Sequence, residues 1–200
     1  MNPTRTRLID AATRLLDAGG PAAVTLREVG RRAGVSHNAP YKHFAGKQDL
    51  LAAIAADQLR TLTDRMRAAA ADHPAGVDAV KAAITAYLDW AQRHPARFTL
   101  TFGPWEGESD ELGQAAAAAR QVLHDLVAAA CDNGTFPGEP APTAALIWTL
   151  AHGAVDLSQT GHMSKSGADP TPDALVGLLI QTLRRPASPP PPAADGTTVM

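Results

Sequence analysis

Thr25 is followed three residues later by Glu28, and that pair marks a helix starting at Leu26. Leu26, Val29, Gly30 and Ala33 recur at helical spacing and give this helix a small, mostly apolar face. Gly34 stops it, because glycine adopts the left-handed backbone that a helix C-terminus needs. Ser36 then caps a second short helix, predicted over residues 37–43. Two short helices joined by a tight turn containing Gly make a helix-turn-helix, whose second helix enters the DNA major groove. Any fold for this chain must accommodate that unit at residues 25–44.

The rest of the chain points to an all-α protein. Aromatic residues are 4% of the 200, and Ala-rich helical runs dominate. Residues 4–18 place Leu8, Ala12, Leu15 and Leu16 on one stripe, ended by Gly19 and Gly20. Residues 47–71 carry Leu50, Leu51, Ile54, Leu59, Leu62 and Met66 at helical spacing, which predicts one helix roughly 37 Å long. Further helices are expected over 77–91, 95–102, 115–132, 143–161 and 172–185, with loops at 103–113 and 133–142. Residues 186–200 are Pro-rich and read as a disordered tail.

Composition bounds the function. One cysteine, Cys131, allows no intrachain disulfide and fits a reducing compartment. No stretch resembles a signal peptide or approaches ~20 uncharged apolar residues, so a cytoplasmic location is expected. Residues 1–67 hold 11 Lys and Arg against 6 Asp and Glu, a net +5; residues 68–200 hold 7 against 14, a net −7. A basic N-terminal third fits a head that faces phosphate, although ordinary surface variation gives the same count.

The stretch AGVSHNAPYKHFAGKQDLL resembles the DNA-binding segment of TetR-type (AcrR-like) repressors. The residues that carry the resemblance are Ala33, Gly34, Val35 and Ser36, then Tyr41, His43, Phe44 and Lys47, within a match over residues 5–59. Three positions depart from the family pattern. Pro40 stands for an aliphatic residue, Gly46 for a capping Ser, and Gly30 for an Ala. Pro40 is expected to tilt its helix slightly. Trp148, His152 and Gly153 resemble the Trp-His-Gly (WHG) signature of one C-terminal subgroup, as does the stretch 87–102 with its His94-Pro95. The resemblance implies a three-helix DNA-binding domain at residues 1–50, a ligand-binding and dimerisation domain at 51–185, and a homodimer through the last two helices (about 143–161 and 172–185). Leu175, Val176, Leu178, Leu179 and Leu183 form an apolar surface there that suits association.

At the N-terminal end of the second helix, His37, Asn38 and Ala39 are placed to reach base edges. Asn bonds adenine bidentately, and an Ala methyl packs on a thymine methyl. Ser36, Tyr41, Lys42, His43 and Lys47 are expected along the backbone, and Thr25 and Arg27 touch phosphate by the resemblance. Tyr41 has core packing as its alternative, and Phe44 reads as a core plug. Arg5 and Arg7 read as phosphate contacts or as a solvated face.

For a ligand cavity the candidates are Trp90, Phe98, Phe102, Trp105, Leu123, Val127, Trp148 and His152. Trp148 and His152 share one helix face and read either as cavity lining or as a core Trp with a hydrogen-bonded His. His152, Asp156 and His162 do not have a convincing metal spacing, and no metal or other cofactor is expected. No phosphate loop, nucleophile elbow or zincin motif is present, so the chain does not read as an enzyme. The expectation is a repressor that leaves a palindromic operator when a small apolar or aromatic effector binds. A ligand-independent architectural protein or an activator is the alternative.

Overall fold

A computed structural model describes residues 2–105, 107–166 and 170–184. The described residues form eight α-helices and two 3₁₀ turns, with no strand among them. The Pro-rich stretch 186–200 lies outside the described residues.

Helix α1 (Pro3–Ala23) is capped by Asn2, whose Oδ1 accepts the Thr4 N–H, and it kinks at Gly19 and Gly20. Helix α2 (Leu26–Arg32) starts at Thr25, whose hydroxyl accepts the Glu28 N–H. Its end is a Schellman motif: Val35 donates to Gly30 O at 3.1 Å and Gly34 to Arg31 O at 3.2 Å. Gly34 sits at φ +63°, where a residue with a Cβ would cost about 1–2 kcal/mol.

The segment after it differs from expectation. Residues 37–39 form turns and only Pro40–Lys42 is helical, as a 3₁₀ turn. Proline has no N–H to give to Ser36 O, so the α-helical ladder cannot form across it. Instead Ala39 donates to Ser36 O, and both His43 and Phe44 donate to Pro40 O. Pro40 therefore rewinds this segment rather than tilting an α-helix.

Helix α3 (Lys47–Ala71) is the spine of the molecule. Gly46 offers no side-chain cap; Asp49 instead reaches back to accept the Ala45 N–H at 2.9 Å. The first half of α3 packs with α1, α2 and Phe44 in a cluster built on Leu8, Leu16, Val29, Leu50 and Ile54. The second half enters a larger cluster with α4 (Val77–Arg93), α5 (Pro95–Phe102), α6 (Asp110–Asp132), α7 (Pro140–Gln159) and α8 (Pro172–Leu183). Its centre is Leu62, Ile84, Trp90, Val127 and Ile147, all buried.

Several boundaries shift from those expected. Helix α6 begins at Asp110, not 115, because Ser109 Oγ accepts the Leu112 N–H and two acidic residues occupy the first turn. Helix α7 begins at Pro140, where proline suits the first position, and ends at Gln159. In α8 the expected apolar surface divides. Val176 and Ile180 turn into this chain's own core, whereas Leu178 stays 62% exposed. Leu146 (47%) and Leu157 (44%) on α7 are the other large exposed apolar side chains of these two helices.

Candidate nucleic-acid interface and ligand cavity

At the N-terminal end, Thr25, Arg27, Ser36, His37, Asn38, Tyr41, Lys42 and Lys47 are exposed, and Ala39 and His43 are half-buried. The 3₁₀ winding carries Tyr41 outward to 55% exposure, 6.1 Å from the His37 ring, so it is not a core residue. Phe44 is the plug: it is 2% exposed, and the Arg5 guanidinium lies 5.4 Å from its ring centre. Burying such a ring stabilises by roughly 1.5–3 kcal/mol.

The arginines nearby are mostly engaged. Arg7 donates to Ala33 O at 2.7 Å and to Gly34 O at 3.2 Å, satisfying the last carbonyls of α2. Arg5 pairs with Glu111 at 2.6 Å. Neither is a free solvated side chain. Glu28 accepts from Arg31 and Arg32, and those hydrogen bonds hold its carboxyl at about 2. Arg27, by contrast, has no ion-pair partner among the described residues and lies beside Thr25, Val35 and His37 along a shallow depression.

Ion pairs tie this end to the rest. Glu111 of α6 is shared by Arg5 of α1 and Arg60 of α3, at 2.6 and 2.7 Å. Burial opposes ionisation of Glu111, but the hydrogen bonds from Arg60 and Arg5 prevail and hold its carboxyl below the usual range. Arg97 of α5 grips both carboxylate oxygens of Asp17 at 2.6 and 2.8 Å and also donates to Gln58. Exposed pairs of this kind contribute about 0.2–1 kcal/mol each. Their geometric effect is to hold α1 against α5 and α6.

A cavity of about 440 Å³ lies between α3, α5, α6 and α7. Phe102, Trp105, Leu123 and Trp148 are on its wall. Trp90, Phe98 and Val127 are not; they are buried in the core behind it. His152 also stands back. Its ring stacks on Trp148 at 5.4 Å and meets Phe98 and Phe102 at 5.0 Å each. Burial depresses the His152 pKa, and burial pushes the Tyr87 hydroxyl up. A neutral imidazole therefore faces a protonated phenol, and the Tyr87 hydroxyl and His152 Nδ1 share a hydrogen bond of 3.0 Å. Trp148 thus lies between the cavity and a half-buried, hydrogen-bonded histidine.

The sequence pattern placed Leu59, Leu62 and Met66 on the apolar stripe of α3 but did not assign them to the cavity, one side of which they form, and it did not single out Arg120 and His124 of α6. The signal was present as spacing: 59, 62 and 66, and likewise 120 and 124, are helical neighbours on one face. Trp105 belongs to both regions, lining the cavity and packing against the N-terminal cluster.

The fold and these two regions match known proteins. A family model described as bacterial regulatory proteins, tetR family, covers residues 8–54, and one described as tetracyclin repressor-like, C-terminal domain, covers residues 80–183. The HTH-type transcriptional regulator SrpR of Pseudomonas putida is 42% identical over 59 residues, 30% of this chain and 28% of SrpR. The match to TtgW of the same species likewise spans less than half of that protein, 44%. The HTH-type transcriptional regulator Rv1816 of Mycobacterium tuberculosis is 28% identical, with 88% of each chain covered. Among solved structures, a Rhodococcus sp. RHA1 protein of unknown function superposes with a TM-score of 0.78 at 27% identity, covering 92% of this chain and 94% of that one. FadR of Bacillus subtilis, solved with stearoyl-CoA, shares the fold at a TM-score of 0.68 and 15% identity over 89% of this chain and 96% of FadR. With both its N-terminal and its C-terminal regions matched, the chain belongs to the TetR family of bacterial regulatory proteins.

Proposed function

We propose that the protein is a ligand-responsive transcriptional repressor that binds a palindromic operator as a homodimer and releases it when a small molecule fills the cavity. The observation that carries this reading is the course of α3. It starts at Lys47, beside the exposed helix-turn-helix side chains, and supplies Leu59, Leu62 and Met66 to the cavity wall. About 18 Å of rigid helix separates Lys47 from Leu59. A ligand that displaces the far part of α3 therefore displaces the DNA-facing end. In this reading Asn38 and His37 meet bases, while Thr25, Arg27, Tyr41, Lys42 and Lys47 meet phosphate.

The exposure of Leu146 and Leu157 on α7 and Leu178 on α8 supports dimerisation through these two helices, because association would take all three out of water. Two helices from each subunit would make a four-helix bundle, and the two-fold operator asks for the same symmetry. The test is a gel shift on the DNA upstream of the protein's own gene, with light scattering on the free protein. A specific shift and a dimer are expected; a monomer at micromolar concentration, or binding indifferent to sequence, removes this reading.

A further inference from the structure

The cavity wall has an uneven chemistry that bears on what fills it. Apart from Thr101, Arg120 and His124 it is apolar, and it contains no carboxylate. Arg120 and His124 lie one turn apart on the same face of α6. Arg120 has no acidic partner among the described residues, whereas Arg60, Arg93 and Arg97 each hold one. The His124 Nδ1 is buried without a hydrogen bond; the nearest carboxylate oxygen, on Asp125, is 3.6 Å away and already accepts from Gln121. Thr101, itself 6% exposed, has a buried hydroxyl oxygen with no partner. Buried polar atoms in folded proteins are normally paired, so the unpartnered Thr101 hydroxyl and His124 Nδ1, together with the exposed Arg120 guanidinium one turn from His124, leave unused hydrogen-bonding capacity on an otherwise apolar wall.

Building on the effector reading of this cavity, we propose that its occupant is an amphipathic organic acid. Its carboxylate meets Arg120 and His124, and its apolar body lies against Leu62, Phe102, Leu123 and Trp148. A single guanidinium with one imidazole suits one carboxylate rather than a polyphosphate. The volume, near the lower end of the ~300–1,000 Å³ typical of ligand sites, suits a medium-chain or bicyclic aromatic acid. Charge-assisted bonds are roughly twice as strong as neutral ones, so an acid is preferred over its alcohol.

The experiment uses the full chain and displacement of the uncharged dye Nile red. The competitors are decanoate against decanol, and 2-naphthoate against 2-naphthalenemethanol. Ala116→Trp, which fills the cavity, controls for location. We expect at least one acid to compete about tenfold better than its alcohol, the difference expected of a charge-assisted contact. Arg120→Gln should abolish that preference and Arg120→Lys should keep most of it; Arg120 is exposed, so neither change threatens folding. The acid that wins identifies the shape of the apolar body. If Nile red binds the wild type but not Ala116→Trp, and acids compete no better than alcohols or Arg120→Gln keeps the preference, the organic-acid assignment is overturned while the effector reading stands. If Nile red fails to bind, or binds Ala116→Trp equally well, the cavity reading itself falls and takes this one with it.

Discussion

Gly30 and Pro40 occupy each other's space: a Cβ on Gly30 would lie 2.9 Å from the Pro40 Cγ. Both residues depart from the TetR pattern, and together they make a local fit. Proline winds the segment tightly, and the missing Cβ on α2 lets the ring seat against the helix. Alone, Gly30→Ala gains about 1 kcal/mol of helix propensity but overpacks a buried contact at about 1–3 kcal/mol. It should therefore destabilise the wild type, yet stabilise a Pro40→Ala background by about 1 kcal/mol. Urea denaturation of the four proteins measures the coupling. Equal effects in both backgrounds would show that the two sites are independent.

Lys47 is exposed at the first position of α3. If it contacts phosphate in both subunits, Lys47→Ala should flatten the slope of log affinity against log salt by about 1.8, at ~0.9 per contact. Affinity for all sequences should fall alike. An unchanged slope in a salt titration refutes the contact.

Asn38 lies in the turns ahead of Pro40–Lys42 and is exposed. As a base reader, Asn38→Ala should cost about 1–3 kcal/mol on the cognate site and relax preference at one position per half-site. A selection from random DNA that returns the wild-type logo for the variant would count against that role.

Gating should depend on the aromatic wall. A Trp148→Phe or Trp105→Leu variant should keep operator affinity but lose most of the ligand-driven release, about 5- to 150-fold in typical couplings. The linkage is reciprocal, so operator DNA must weaken ligand binding by the same factor. Titration of ligand with and without operator checks this, and identical affinities would exclude the mechanism.

Acid should loosen the protein through its half-buried histidines. Burial depresses the His152 pKa, and burial followed by repulsion from Arg97 depresses that of His94. A histidine with a depressed folded pKa stabilises above its unfolded value near 6.5 and loses that contribution as pH falls through the folded value. The melting temperature should therefore drop between pH 7.5 and 5.5, and His152→Gln should flatten part of the drop. Identical pH profiles for the two proteins would assign the effect elsewhere.

The helix order was readable because caps and periodicity are local. Thr25 with Glu28, the apolar run from Leu50 to Met66, and Pro95 at a helix start each identify their own element. The plug role of Phe44 was readable too, since its position in the pattern leaves the ring no outlet except the core. The 3₁₀ winding was not, because it depends on what Pro40 packs against, and Gly30 is ten residues away. Arg7 on the α2 carbonyls and Arg5 on Glu111 are tertiary pairings that no spacing rule encodes. For the cavity, residue type drew attention to aromatic rings wherever they sit. The wall also needs the small residues of α7 and one face of α3, which only the packing of helices brings together.

Trp105, with its two contacts, also limits how the chain can be taken apart. A splice near residue 50, exchanging the helix-turn-helix end for that of a relative, would cut across these contacts. The C-terminal helices reach back: Ala96, Leu100 and Trp105 pack on the N-terminal core, Arg97 grips Asp17, and Glu111 holds Arg5. A transplanted N-terminal segment that lacks the acidic residue at 17, the arginine at 5 or an apolar seat for the indole would fold beside the C-terminal helices without being held against them. A working chimera needs those three contacts kept along with the helix-turn-helix.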